Sequence, residues 1–325
     1  MDRSISVANR AKLSILGAII GDALGATLEF KTTKQATQIT EKLDYFANGL
    51  VGDGPFDLVP GQFTDDTEMA LAIMYVINKD GEYNQNRVAK MYHFWYLSDP
   101  FDMGVTTRTA VSNATAQKML VASKKYNSNS LSNGFLMRLF GLVCMYYNKG
   151  IGELREAMVL DVALTHSHPE TFEIAVVYGT MLWKAIRGES AEMIYAWGKK
   201  NCGKSKLFIA VYKATDSNNT EFVYDGKKYA FAQIDSLMCG FVGFAIWLLL
   251  RALKSSKSYQ ATMIEIVSRG GDTDTNACIV GPIMAALYPT TIPKKWISSV
   301  INCNATGRYR KYPIANPSIW LEWLP

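Results

Sequence analysis

Apolar residues recur along most of the chain at the three- and four-residue spacings of an amphipathic helix, and strict alternation is rare. The pattern predicts helices over about 8–29, 65–79, 84–97, 104–125, 134–148, 151–164, 169–187, 234–254, 258–268 and 275–288. Only "EFVYDGKKYAFA" reads as extended chain, where an Asp-Gly pair between short β-prone runs predicts one hairpin. "KKYNSNSLSNG" and "ATDSNNTEF" read as polar loops, and no low-complexity linker divides the sequence. The expectation is a single, mostly α-helical domain spanning 1–325.

Two of these helices begin in an unusual way. "MALAIMYVI" has almost no polar face, so it should be buried with its start in or near the interior. Yet it follows "TDDTE", with Asp65 and Asp66 side by side. For an exposed helix, Thr64 as N-cap and carboxylates in the first turn would be ordinary. Buried, adjacent carboxylates carry a raised pKa and a large desolvation cost unless a cation or strong donors meet them. "GGDTDT" repeats the plan before another apolar run. It has Asp272 and Asp274, hydroxyls at Thr273 and Thr275, and Gly270 and Gly271 to let the backbone turn tightly. Alone it reads equally well as a solvated turn, but two such clusters at the heads of two buried helices reinforce each other. Oxygen ligands without a histidine or thiolate suit Mg²⁺, Mn²⁺ or Ca²⁺ and not zinc. Four aspartates and two threonines provide enough oxygens for two ions sharing a bridging carboxylate.

Three further segments stand out. In "GAIIGDALGATLEF", Gly17, Gly21 and Gly25 recur at every fourth position and predict close helix packing. Asp22 and Glu29 share a helix face there if the helix persists through Gly25. Asp22 reads as a hydrogen-bonded structural acid, and Glu29 falls where the helix opens into a loop. "LSNGFLMRLF" puts Ser132, Asn133 and Gly134 before an apolar run, where free backbone N–H groups would suit a phosphate; taken alone it is an ordinary cap. "LTHSHPET" holds His166 and His168 at a spacing open to a metal, but Pro169 starting a helix explains it as well.

Composition narrows the picture. Of 325 residues 49% are hydrophobic and 19% charged, enough for a substantial core and against wholesale disorder. The net charge of +5 is too slight to argue for nucleic acid, and it does not disfavour a phosphate-bearing ligand. The five cysteines are scattered and form no CxxC, which reads as reduced thiols in a cytoplasmic protein with no zinc site. The amino-terminal basic and apolar stretch resembles a signal peptide, but Asp22 and Glu29 stand where cleavage would occur. "LMCGFVGFAIWLLL" is shorter than the ~20 residues a bilayer span needs. A buried helix, and no membrane, is expected.

Taken together these segments resemble the ADP-ribosylglycohydrolase family, which includes the dinitrogenase-reductase-activating glycohydrolases and the ADP-ribosylarginine and ADP-ribosylserine hydrolases. The matching order is "GDALG" with a following glutamate, "TDDT", "FDMGVTTRTA", "SNGFLMR", "THSHPE" and "GGDTDT", over roughly residues 10–290. The resemblance implies a compact all-α multi-helix bundle around two divalent cations, Mg²⁺ or Mn²⁺. It implies Thr64, Asp65, Asp66, Asp272, Asp274 and Thr275 as metal ligands. Glu29 matches an acid near the metals that helps position or activate water, and Asp102 a carboxylate near the distal ribose. Ser132, Asn133 and Gly134 match the loop cradling the diphosphate, and His166 a ligand-side histidine. The implied reaction is hydrolysis of the bond between C1″ of an ADP-ribose and a protein side chain. "THSHPE" looks more like the arginine-acting type; serine- or nucleic-acid-linked ADP-ribose, another nucleotide-like substrate, or a non-catalytic ADP-ribose-binding module are the alternatives. The filled ligand positions count against the binding module. The implied partners are an ADP-ribosylated protein and the ADP-ribose product, with the chain as a monomer. The segment 214–232 has no part in these motifs and reads as an insertion shaping the target surface.

Overall fold

The computed structural model describes residues 5–42 and 46–325. Among these residues it contains seventeen α-helices and one two-stranded antiparallel hairpin, so the all-α reading holds. The hairpin pairs Glu221–Tyr224 with Lys227–Ala230 around an Asp225-Gly226 turn in which both residues have positive φ, as the Asp-Gly signal predicts.

The centre of the fold is the pair formed by the Val7–Gly25 and Thr273–Leu287 helices. The three glycines of the first make the contact possible. A Cβ at Gly17 would lie 2.4 Å from the Ala285 Cβ, one at Gly21 2.4 Å from the Ala277 carbonyl oxygen, and one at Gly25 2.4 Å from the Asp274 Cα. The two backbones therefore touch along their length, and the end of one helix meets the start of the other. The α-helix stops at Gly25, and a 3₁₀ turn over Ala26–Leu28 leads to Glu29. Asp22 and Glu29 are thus not on one continuous helix. By length and composition Val7–Leu28 could cross a membrane, but 89% of its apolar window is buried inside the protein.

The Asp65–Asp80 helix is buried through most of its length and packs on the Leu139–Met145 helix, where a Cβ at Gly141 would sit 2.8 Å from the Ala70 carbonyl oxygen. Its first turn is held from the carboxyl end of the chain. Arg308, in the Thr306–Lys311 helix, forms a buried ion pair with Glu68, and the Trp95 indole donates to Glu68 Oε2 at 2.6 Å. Burial raises the Glu68 carboxyl, and the hydrogen bonds and charge of Arg308 pull against that. The chain beyond residue 290, outside the motifs read from sequence, therefore braces the helix that carries Asp65 and Asp66. Arg308→Met should strand the Glu68 charge and destabilise the fold by about 3–5 kcal/mol in denaturant unfolding. A change below about 1 kcal/mol would mean the pair does not brace the helix.

Three expected helices are interrupted. The one expected over 104–125 is two, Val105–Val111 and Ala116–Tyr126. The Asn113 amide bonds back to the Thr109 and Ala110 carbonyls at 3.1 and 3.0 Å, and Thr115 caps the next helix. The stretch 134–148 becomes a 3₁₀ turn over Asn133–Phe135 and an α-helix over Leu139–Met145. The stretch 234–254 becomes a 3₁₀ turn over Phe231–Asp235 and an α-helix over Val242–Ser255.

Candidate metal centre

The end of the Val7–Gly25 helix and the starts of the Asp65–Asp80 and Thr273–Leu287 helices bring carboxylates together. Ligand oxygens of Asp22, Asp66 and Asp274 lie within 4.8 Å of one another, as do those of Glu29, Asp272 and Asp274. Asp274 belongs to both triads. Asp65 lies in neither; the charge of Asp102 acts on it from beside the cluster. Thr64 occupies the N-cap position without capping the helix. Its hydroxyl lies instead 3.0 Å from Asp22 Oδ1 and 3.1 Å from Asp66 Oδ2. The Thr275 backbone N–H donates to Asp274 Oδ1 at 2.8 Å. Asn133 donates to Asp272 Oδ2 at 2.7 Å.

Asp22 is the structural acid the sequence suggests, and more. It accepts from the backbone N–H of Thr64 at 3.0 Å and of Thr67 at 3.0 Å, and from the Thr67 hydroxyl at 2.6 Å. These bonds tie the head of one helix to the flank of another. They also leave Asp22 in a triad with Asp66 and Asp274. Sequence reasoning passed over that membership, because a carboxylate in mid-helix shows nothing of what packs against it.

The electrostatics set a clear demand. Burial pushes Glu29 up to about 10, with repulsion from Asp102, Asp272, Asp66 and Asp22 adding to it. Burial likewise raises Asp22 to about 7 against the pull of its threonine donors. Asp102 rises to about 6 through burial and the charge of Asp272. Asp65, Asp66 and Asp274 stand well above the ordinary carboxylate range through burial and neighbouring carboxylates. Glu29, Asp65, Asp66, Asp102 and Asp274 are each raised by the charges of other acids. Asp66 Oδ1 and Glu29 Oε2 are buried with no hydrogen-bond partner among the described residues. An oxygen-only donor set with orphaned oxygens and converging negative charge fits a hard divalent cation.

Beside the acids, the Ser132–Gly134 segment is fastened to the entrance of the Val242–Ser255 helix. Asn133 N–H donates to the Gly240 carbonyl at 2.9 Å and Val242 N–H to the Leu131 carbonyl at 2.9 Å. The Asn133 N–H is thus taken, and the segment is a 3₁₀ turn and not an α-helix start. It also offers side chains. His166 is fully buried, with Nε2 2.8 Å from Ser132 Oγ and Nδ1 2.9 Å from Thr165 Oγ1. Arg138 donates to Thr165 Oγ1 at 2.8 Å and is itself held by a buried pair with Asp161. Burial and the Arg138 charge hold the imidazole well below its ordinary pKa, so it is neutral. The arrangement that uses each proton has Thr165 donating to Nδ1 and Nε2–H donating to Ser132. The Ser132 hydroxyl then keeps its own proton for a ligand. A cavity of about 400 Å³ adjoins it, lined among others by Leu131, Tyr229, Leu237 and Phe241. A larger one of about 720 Å³, lined among others by Trp247, Arg251 and Arg269, contains none of the clustered acids. His168 caps the Pro169–Ile186 helix and takes no part in the cluster.

Comparison with known proteins agrees with the geometry. A family model described as ADP-ribosylglycohydrolase matches residues 3–315. A protein of Acanthamoeba polyphaga mimivirus that carries the name ADP-ribosyl glycohydrolase is 52% identical over 323 residues, covering 97% of this chain and 98% of its own. An ADP-ribosylarginine hydrolase of Pseudomonas putida is 25% identical over 300 residues, 90% of this chain and 74% of that one. A solved structure titled ADP-ribosylglycohydrolase-related protein complex superposes with a TM-score of 0.71 at 24% identity, over 97% of this chain and 98% of that one, and so shares the fold.

Proposed function

The chain belongs to the ADP-ribosylglycohydrolase family of hydrolases, and from that premise we propose that it releases single ADP-ribose groups from arginine side chains of proteins, aided by two divalent cations, Mg²⁺ or Mn²⁺. The observation that carries the reading is the pair of carboxylate triads sharing Asp274, with orphaned oxygens on Asp66 and Glu29. Thr64, Asp65, Asp66, Asp272, Asp274 and Thr275 would hold the cations, with Asp22 completing one triad. The cations would supply electrostatic stabilisation of the charge that develops as the bond at C1″ breaks, and would orient ribose hydroxyls and water. Glu29, at the edge of the cluster, holds or accepts a proton at its unpartnered Oε2. Asp102, whose charge acts on Glu29, would stand near the distal ribose. Ser132 donates to the diphosphate while neutral His166 fixes its orientation, and Asn133 aims Asp272. The name of the Pseudomonas relative supports the arginine linkage.

The test is direct. The protein is incubated with an ADP-ribosyl-arginine peptide, an ADP-ribosyl-serine peptide and ADP-ribosylated DNA, each with Mg²⁺ or Mn²⁺ and with EDTA. Metal-dependent release from the arginine peptide above the other two is expected. Release that persists in EDTA would sink the two-cation mechanism. Tight binding of ADP-ribose without release from any substrate would make the chain a binding module.

A further inference from the structure

Three aromatic rings meet beside the segments that carry Glu29 and Asp102. Phe30 follows Glu29, Phe101 precedes Asp102, and Phe56 comes from the loop over 52–61. The Phe56 ring centroid lies 6.3 Å from that of Phe30, edge-on at 71°, and 5.2 Å from that of Phe101, tilted at 51°. The rings are not spent on the core: Phe30 is 61% exposed and Phe101 37%.

Two features set this ledge apart from scattered surface phenylalanines. The first is backbone strain that maintains the display. Phe30 has φ 61°, a left-handed conformation uncommon for a bulky side chain, and its N–H is fixed on the Gly271 carbonyl at 2.8 Å. The loop behind Phe56 is equally constrained: Asp53 and Asp57 have φ 65° and 53°. A Cβ at Gly54 would meet the Ala26 carbonyl oxygen at 2.7 Å, so the loop is seated on the turn that delivers Glu29. The second feature is charge. Asp53 and Asp57, both exposed, flank Phe56. Aromatic faces with carboxylates close by in the same loop suit a planar, weakly hydrated cation.

We propose that Phe30, Phe56 and Phe101, with Asp53 and Asp57, form the subsite that receives the modified side chain and that this subsite favours a guanidinium. The proposal rests on the ADP-ribosylhydrolase reading and deepens it. The diphosphate would lie on the Ser132 side, which leaves the ledge for the group beyond the scissile bond. A guanidinium carrying the ribose remains planar and cationic, whereas a serine-linked substrate brings no charge to the rings.

Phe56→Ala, Phe56→Leu and the double variant Asp53→Asn/Asp57→Asn test it. The expected result is a fall of about tenfold or more in kcat/KM on an ADP-ribosyl-arginine peptide, mostly through KM. The loss on an ADP-ribosyl-serine peptide should be less than about threefold, and the Kd for free ADP-ribose should hold. Phe56→Leu keeps the apolar volume and loses the aromatic face, so it should fall with Phe56→Ala. Equal losses on both peptides, or full activity of Phe56→Leu on the arginine peptide, would overturn the proposal. A parallel measurement keeps the two readings apart. In a Glu29→Gln background, the affinity for ADP-ribosyl-arginine relative to ADP-ribose is measured by calorimetry, with and without Phe56→Leu. If the parent protein cleaves nothing, the hydrolase reading fails, while the subsite still stands or falls on whether that preference disappears.

Discussion

Asp274→Asn is expected to lower kcat/KM on the arginine-linked substrate by at least about 10³-fold, equivalent to about 4 kcal/mol of transition-state stabilisation. Asp274 is the residue common to both carboxylate triads, so on the proposed two-cation reading one substitution would remove a charged ligand from each half of the centre. Asparagine keeps the side-chain oxygen that accepts from the Thr275 N–H, so the head of the helix should remain formed. The metal-free fold should even gain. Asp274 is buried, and its carboxyl is raised well above the ordinary range by burial and by repulsion from Glu29, Asp66 and Asp272. An amide there needs no proton on folding, so the cost of burying that carboxyl disappears. The signature is therefore a split: steady-state kinetics collapse, while the thermal midpoint in EDTA stays level or rises. Asp65→Ala should also abolish turnover with the fold kept, though Asp65 acts from the Asp102 side of the cluster. Full activity in Asp274→Asn would end the assignment of Asp274 as a shared ligand.

The parts of this site that the sequence reveals are those whose chemistry conflicts with their surroundings. Paired acids before a helix without a polar face signal a buried cation, and glycines at every fourth position signal touching backbones. Both signals are local, and both helices are found. What stays hidden depends on partners far along the chain. Asp22 looks like one polar residue in an apolar helix; its membership in a triad comes from Asp66 and Asp274, which chain folding brings to it. The brace from Arg308 to Glu68 joins two residues that no periodicity links. The interruption after Val111 turns on an asparagine amide that competes for helical carbonyls, which composition alone does not distinguish from an exposed helical asparagine. The apolar pattern does not predict the helices over Thr33–Thr40, Ala191–Asn201 and Lys206–Asp216. Each is short and is marked mainly by a threonine or serine N-cap. The aromatic ledge is invisible for a further reason: its rings come from three separate segments, and only backbone angles show that they are held in place.

Removing the metal should make stability fall as pH rises, and adding it should reverse the loss most strongly at high pH. The sign follows from the protons each state binds. In the unfolded chain the clustered acids ionise at their ordinary values near pH 4. In the metal-free fold Glu29 is raised to about 10, Asp22 to about 7 and Asp102 to about 6. Between the two limits the folded state holds more protons, so its stability declines with rising pH. The contribution of Asp102 levels off near pH 6 and that of Asp22 near pH 7, whereas Glu29 keeps lowering stability toward pH 10. Buried His166 works the other way, because its lowered pKa makes the fold lose stability as pH drops below about 6.5. A pH scan in EDTA alone therefore mixes opposing slopes. The difference between scans with and without metal does not, since His166 lies outside both triads and contributes to each alike. A cation competes with protons for the carboxylates, so its binding should release protons, and the rise it gives in the thermal midpoint should be larger at pH 8 than at pH 5. Calorimetry of Mn²⁺ binding in buffers of different ionisation enthalpy counts the protons released. A midpoint shift independent of pH, with no proton release, would mean that the clustered acids do not hold the metal.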